Sequence, residues 1–237
     1  MEKEMLKVKI FADGADLGSI KKLYENPAIS GFTTNPTLMN KSGVKDYEEF
    51  AKEFLDIVPD RPISFEVFAD DEEEILKQAR ILSSWGDNVF VKIPVTTTDG
   101  NSTTHLVEQL AKQGIQTNVT AMFTIDQLEK VLPSLIGGPN SYVSIFAGRI
   151  ADAGVDPLPI MESALDLLKE QENIELIWAS PREVFNIVQA DKIGCDVITV
   201  PPELLARLPL IGKNLEKFSL ETVNMFFNDA KASGYSL

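Results

Sequence analysis

A lysine inside an otherwise apolar run is the first feature of this 237-residue sequence that could do chemistry. Lys92 separates Val89-Phe90-Val91 from Ile93-Pro94-Val95, and lysine is almost never fully buried without a partner. Two readings account for it. One is an ion pair with Glu66 or Asp13. The other is a desolvated amine that becomes accessible in its neutral, nucleophilic form, as carbonyl chemistry requires. Only five arginines occur, and two of them follow neighbouring apolar runs. Arg149 comes after Tyr142–Phe146 through Ala147-Gly148, and Arg182 after Ile174–Ala179 through Ser180-Pro181. Such a pair could clamp a phosphate with paired hydrogen bonds, while surface salt bridging remains the alternative for either one alone.

Other chemistries are poorly served. Cys195 is the one cysteine and His105 the one histidine. A disulfide framework is therefore excluded, no metal site built on cysteine or paired histidines is expected, and little is left for a Ser-His-Asp triad. With 22 basic against 36 acidic residues the net charge is −14. That balance repels nucleic acid and anionic membrane, so neither is an expected partner, and an anionic ligand would need local cations to hold it.

The elements that must position these residues follow from the hydropathy pattern. Short apolar runs that read as strands are Val8–Ala12, Gly31–Thr34, Ile63–Phe68, Asn88–Ile93, Ile115–Met122, Tyr142–Phe146, Ile174–Ala179 and Asp196–Val200. Between them lie amphipathic stretches, among them Lys45–Leu55, Asp71–Ser83, His105–Lys112, Ile125–Leu135 and Pro159–Glu170. Asp70-Asp71-Glu72 and Thr124 supply helix starts. Strands joined by helices pair in parallel through right-handed crossovers. Eight such units of about 30 residues suit one α/β domain over residues 1–237, a (β/α)8 TIM barrel. A doubly wound open sheet is the alternative, but no G-x-G-x-x-G follows any strand.

Alternation then decides which side chains face the barrel interior. Phe65 and Val67 suit the helix side, which turns Glu66 inward. The same logic turns Lys92, Asn118, Thr120, Ser144, Phe146 and Ser180 inward, while Asp13 and Asn35 close the first two strands. All lie toward the carboxyl ends of their strands, where barrel active sites sit. Singly, a carboxylate or amide there is more often a turn former or helix cap, and Ser180 or Thr120 could merely fill the pleat. The opening Met1-Glu2-Lys3-Glu4 has no apolar signal core and no stretch approaches a transmembrane span. A cytosolic protein is expected, with the sequons at Asn101 and Asn118 read as chance matches.

Taken in order, several blocks resemble the transaldolase family, particularly its short, single-barrel members. They are Phe11-Ala12-Asp13, Thr33-Thr34-Asn35-Pro36, Val91-Lys92-Ile93-Pro94, Asn118-Val119-Thr120, Ser144-Ile145-Phe146-Ala147-Gly148-Arg149-Ile150 and Ala179-Ser180-Pro181-Arg182. The resemblance implies transfer of a dihydroxyacetone unit between phosphorylated sugars through a Schiff base on Lys92. It implies that Asp13 moves the C4 hydroxyl proton and that Glu66 and Thr120 hold a proton-shuttling water. Asn35, Asn118 and Ser144 would hold substrate hydroxyls, with Phe146 beside the bound unit. Arg149, Ser180 and Arg182 would take the phosphate. The protonated imine accepts the electron pair, so no cofactor is implied. Close relatives that act as aldolases carry glutamine and tyrosine where this chain has Glu66 and Phe146. A silent sugar-phosphate-binding barrel is the remaining alternative.

Two departures stand out: Pro181, where the family usually has an aromatic residue, and a longer, polar Thr96–Thr104 segment. The aromatic-rich stretch Phe218–Phe227 is surplus to eight strands. It reads as a C-terminal helix free to cover a neighbouring copy, against the alternative of packing on its own barrel. Short transaldolase-like proteins form rings, so a pentamer or decamer is implied. If Lys92 is the imine-forming residue, borohydride with fructose 6-phosphate adds a sugar-derived mass to the Lys92 peptide in a mass map. Labelling of another lysine, or full activity in Lys92→Ala, defeats that assignment.

Overall fold

Runs of β-branched and aromatic residues form eight strands in the computed structural model, which describes residues 6–235. They are β1 (Lys9–Asp13), β2 (Ile29–Thr33), β3 (Ile63–Glu66), β4 (Val89–Pro94), β5 (Thr117–Met122), β6 (Ser141–Ile145), β7 (Ile174–Trp178) and β8 (Val197–Val200). Each pairs in parallel with the next in sequence, and β8 pairs with β1 to close a barrel. A closed sheet removes both edges, and the open doubly wound alternative is thereby overturned. The reading of Met1-Glu2-Lys3-Glu4 falls outside the described residues.

The barrel has two apolar surfaces, set by the period of two. Outward residues such as Phe32, Phe65, Val91, Val119, Ile145, Trp178 and Ile198 pack with the helices in one large buried cluster. Inward, Phe11, Phe90, Tyr142, Ile177, Ala179 and Val197 form a second, smaller cluster with Phe146 against it. Phe11 and Phe90 both meet Tyr142, with ring centroids 5.5 and 4.4 Å apart. This aromatic layer plugs the barrel. Two residues further along the same strands stand Asp13, Lys92 and Ser144, so the plug is the floor beneath a polar layer. Gly31 makes room for it, since a Cβ there would meet the Phe11 ring at 2.6 Å.

Helix starts follow the capping chemistry. Asp71 accepts from Glu74 N–H at the head of Glu72–Ser83, and Thr124 with Gln127 forms a capping box before Ile125–Val131. The expected helix Ile125–Leu135 instead gives way to a 3₁₀ turn over Leu132–Ser134, where Pro133 lacks an N–H to continue it. Tyr47–Ile57, Thr104–Lys112 and Leu158–Leu168 match the expected stretches within a few residues. Leu17–Tyr24, Pro36–Lys41, Ala147–Asp152, Phe185–Ile193 and Pro202–Leu205 are helices that the hydropathy pattern did not single out. Short helices offer too few turns for a clear 3.6-residue period.

The Thr96–Thr104 segment folds on itself through a Thr96–Ser102 bridge and is tied to Asp70, whose carboxylate accepts from Thr98 N–H at 2.7 Å. The last helix, Leu215–Ala232, buries none of its residues. Leu215, Val223, Phe226 and Phe227 are each at least 60% exposed, so the alternative of a helix packed on its own barrel does not hold. Among the described residues no helix is long and apolar enough to cross a membrane.

Candidate active site

Barrel closure brings every residue the resemblance assigns to the site to one cavity of about 500 Å³ at the carboxyl ends of the strands. Lys92 comes up from β4 into its centre and is only 8% exposed. Its Nζ lies 3.2 Å from Glu66 Oε2 and donates to the Thr34 carbonyl at 3.2 Å. The ion pair with Glu66 expected as one reading of Lys92 is present, and the amine also lines the cavity. Buried cations need such company, because desolvation is costly without a partner.

Asp13 ends β1 across the cavity and accepts from Thr33 Oγ1 at 2.9 Å. Burial pushes its carboxyl above the ordinary 3.8, opposed by the attraction of Lys92 and by the Thr33 bond. On the opposite wall, Ser144 Oγ donates to Asn118 Oδ1 at 2.7 Å, and Asn118 Nδ2 donates to Ser64 Oγ at 2.9 Å. That chain fixes the amide orientation within a fully buried layer. Thr120 Oγ1 is buried with no partner among the described residues, so its hydroxyl is left to bond whatever fills the cavity. Beside it Ala121 has φ +61°, and the β5–β6 register shifts between Val119 and Met122. Asn35 lines the cavity but also caps the helix Pro36–Lys41, its Oδ1 accepting from Leu38 N–H at 3.0 Å. Its amide nitrogen remains for a ligand.

The cationic side is built on a close approach. A Cβ at Gly148 would sit 1.6 Å from the Ser180 carbonyl oxygen, so only glycine lets the helix Ala147–Asp152 touch the turn after β7. Strand alternation does not bring Ser180 inward as expected. β7 ends at Trp178, whose parity Ser180 shares, and the inward positions are Ile177 and Ala179. Ser180 reaches the cavity instead through a left-handed backbone, φ +62°. Arg182 Nη1 donates to its hydroxyl at 3.0 Å, while Arg182 Nε and Nη2 grip the Asp152 carboxylate. Arg149 has no carboxylate partner among the described residues, and its guanidinium lies over the Phe146 ring, 5.4 Å from the centroid.

Sequence reasoning missed several contributors. Asp152, Ser64, Thr33 and the Thr34 carbonyl hold Arg182, Asn118, Asp13 and Lys92 in turn, and Lys41 and Thr199 line the cavity wall. Thr33 and Ser64 share the inward parity and could have been found by it. Asp152 carried no such signal, since it acts across two connections. The Thr96–Thr104 segment does not line the cavity.

An α/β barrel whose interior lysine is paired with a carboxylate, in a cavity it shares with Asp13 and two arginines, has the architecture of a barrel enzyme. The Transaldolase/Fructose-6-phosphate aldolase family pattern matches residues 10–237, and the chain belongs to that family. Relatives named "Probable transaldolase" include one from Dehalococcoides mccartyi, 34% identical over 89% of this chain and 96% of its own. Another, from a Thermoanaerobacter species, is 37% identical over 89% of this chain and 95% of its own. More distant barrels share the fold alone. The 3-keto-L-gulonate-6-phosphate decarboxylase of Vibrio cholerae is 13% identical with a TM-score of 0.55, covering 83% of this chain and 89% of its own. The N-acetylneuraminate lyase of Mycoplasma synoviae is 11% identical with a TM-score of 0.52, covering 95% and 82%.

The raised carboxyl of Asp13 has a consequence for stability. The folded chain binds that proton more tightly than the unfolded chain does. Stability therefore falls as pH rises from 3.8 through the raised value, and the deficit persists at neutral pH. Asp13→Asn should melt at a higher temperature than the parent at pH 7, with the gain shrinking as pH falls from the raised value toward 3.8 and gone below it, while turnover drops on the order of 100-fold or more. Paired thermal melts and rate assays check this; a lower melting temperature at pH 7 means burial does not dominate at Asp13.

Proposed function

We propose that the chain is a transaldolase that carries a dihydroxyacetone unit on Lys92 between phosphorylated sugars. The observation that carries this reading is the Lys92 amine inside the barrel, 3.2 Å from Glu66, with Asp13 on the same cavity. A module that only binds sugar phosphates needs no interior amine, and the relatives' names support transfer chemistry. In its neutral form Lys92 attacks the C2 carbonyl of an open-chain ketose phosphate, such as sedoheptulose 7-phosphate or fructose 6-phosphate. Loss of water leaves the protonated imine. Asp13 takes the C4 hydroxyl proton, the C3–C4 bond breaks, and its electron pair moves into the imine to give an enamine. The departing fragment leaves as an aldehyde. An acceptor aldose phosphate, glyceraldehyde 3-phosphate or erythrose 4-phosphate, is then attacked by the enamine, and Asp13 returns its proton to the new hydroxyl. Hydrolysis frees Lys92. Glu66 and the unpartnered Thr120 hydroxyl hold the water that moves protons in imine formation and hydrolysis. Asn118, Ser144 and the free amide nitrogen of Asn35 hold hydroxyls of the bound unit. Arg149, Arg182 and Ser180 bind phosphate, with Lys92 acting as the Schiff-base residue throughout. In this reading the protein serves the pentose phosphate pathway in the cytoplasm as a one-domain barrel.

The exposed apolar face of Leu215–Ala232 supports a homo-oligomer, a pentamer or decamer, in which that helix covers a neighbouring copy. Light scattering at micromolar concentration should return a multiple of 26.2 kDa; a monomer defeats this part of the reading.

The same family includes fructose-6-phosphate aldolases, which release free dihydroxyacetone. Phe146 favours transfer, because a phenyl ring cannot orient water against the enamine as a phenol can. Fructose 6-phosphate alone should be cleaved slowly, and turnover should rise at least about tenfold when erythrose 4-phosphate is added. Phe146→Tyr should increase release of dihydroxyacetone without acceptor. Equal rates with and without acceptor in the parent make it an aldolase.

A further inference from the structure

Glu66 stands where strand pairing runs out on one side. β2 meets β3 only at Phe32 with Ile63 and Thr33 with Ser64. Beyond them Thr34 N–H still donates to the Ser64 carbonyl at 3.2 Å, but Asn35 leaves the sheet to cap a helix. On the other side Glu66 stays in register with Lys92, and Val67 N–H donates to the Lys92 carbonyl at 3.1 Å. The N–H and C=O of Glu66 face the side where β2 is gone, and unpaired backbone groups there would be costly.

One phenol meets both. Tyr47 Oη accepts from Glu66 N–H at 2.9 Å and donates to the Glu66 carbonyl at 3.2 Å. Tyr47 opens the helix Tyr47–Ile57, whose N-cap Asp46 accepts from Glu49 N–H at 2.9 Å. Its ring is boxed by Phe65, Trp85 and Phe68, with centroids 5.9, 5.5 and 4.6 Å away. Burial pushes the phenol's pKa up, so Oη keeps the proton it donates.

We propose that Tyr47 is a positioning residue for the reaction: its hydroxyl replaces the missing β2 partner of Glu66 and so holds the Glu66 carboxylate against the Lys92 amine. The proposal rests on the reading of Glu66 as the carboxylate that manages protons in imine chemistry. Strand alternation turns the Glu66 side chain into the barrel only while its backbone keeps extended geometry, and past Ser64 the sheet secures that geometry from β4 alone. The phenol secures it from the other side without touching the cavity itself, since Tyr47 is absent from the cavity lining. Loss of the hydroxyl should therefore slow the chemical steps and leave substrate binding alone.

A double-substitution cycle tests this, with kcat and KM for fructose 6-phosphate plus erythrose 4-phosphate measured in the parent, Tyr47→Phe, Glu66→Gln and the double variant. Thermal melts report folding in parallel. Tyr47→Phe should lower kcat about five- to twentyfold with KM within about twofold, and should add less than about twofold in the Glu66→Gln background. The same loss in both backgrounds means the phenol only supports the barrel, which overturns the proposal. So does an unchanged kcat in Tyr47→Phe when Glu66→Gln is impaired. Full activity in Glu66→Gln overturns the role of Glu66 itself and the proposal with it. If Tyr47→Phe does not fold, 4-aminophenylalanine at position 47 takes its place in the cycle. It keeps a donor for the Glu66 carbonyl and is a weaker acceptor, so a loss confined to the Glu66 background supports the proposal and an equal loss in both overturns it.

Discussion

A cation held inside a barrel constrains everything around it. Lys92 is almost entirely withdrawn from water, and its amine is met there by the Glu66 carboxylate and the Thr34 carbonyl. Each of those partners needs its own support. Thr34 donates its hydroxyl to the Ser64 carbonyl at 3.2 Å, Ser64 receives Asn118, and Asn118 receives Ser144. A polar layer therefore runs from β2 to β6 through the barrel interior. Such an arrangement contributes little net stability, because the desolvation of a buried pair offsets most of its attraction. Stability comes from the outward faces of the same strands, where Val, Ile and Phe pack on the helices. The inner layer is then free to be shaped by chemistry, and the aromatic plug of Phe11, Phe90 and Tyr142 keeps water from reaching it from below.

How much of this can be read from the chain depends on the range of the interaction. Period-two alternation is local, so all eight strands and the inward parity of Glu66, Lys92, Asn118, Thr120 and Ser144 are legible in the sequence. Boundaries are less so. The expected strand Ile63–Phe68 stops at Glu66, its last residue in register with β4 and two residues past the last pair with β2, which no feature within that run reveals. Ser180 is the clearest case of a correct position reached for the wrong reason. Alternation would leave it outside, and a left-handed residue after the strand brings it in.

Contacts between successive units are not legible at all, because they are created by closure. Tyr47 lies 19 residues from Glu66 and Asp152 lies 30 from Arg182. Neither spacing belongs to a helix or strand period. The same holds for Gly148, whose missing side chain matters only once the Ser180 turn is beside it. The C-terminal helix gives the opposite lesson. Its apolar residues are plain in the sequence, and within one chain the fold leaves them uncovered.

On the proposed reading, the arginine side of the cavity accounts for how so acidic a protein could hold an anion. With a net charge of −14, the long-range field opposes an approaching dianion, and binding must come from local, oriented donors. Arg182 is oriented in advance by Asp152, a carboxylate about half exposed to solvent. That partner is also a competitor, since it occupies the donors a phosphate would use. The exchange is inexpensive because a solvent-exposed ion pair contributes little, and the released carboxylate returns to water. What remains is the geometry: a planar guanidinium already fixed against Ser180 and lining the cavity, with Arg149 lying over the Phe146 ring. Ordering those two side chains before the ligand arrives removes an entropy cost from binding itself. On the proposed reading, an internal carboxylate is a placeholder for the substrate's charge.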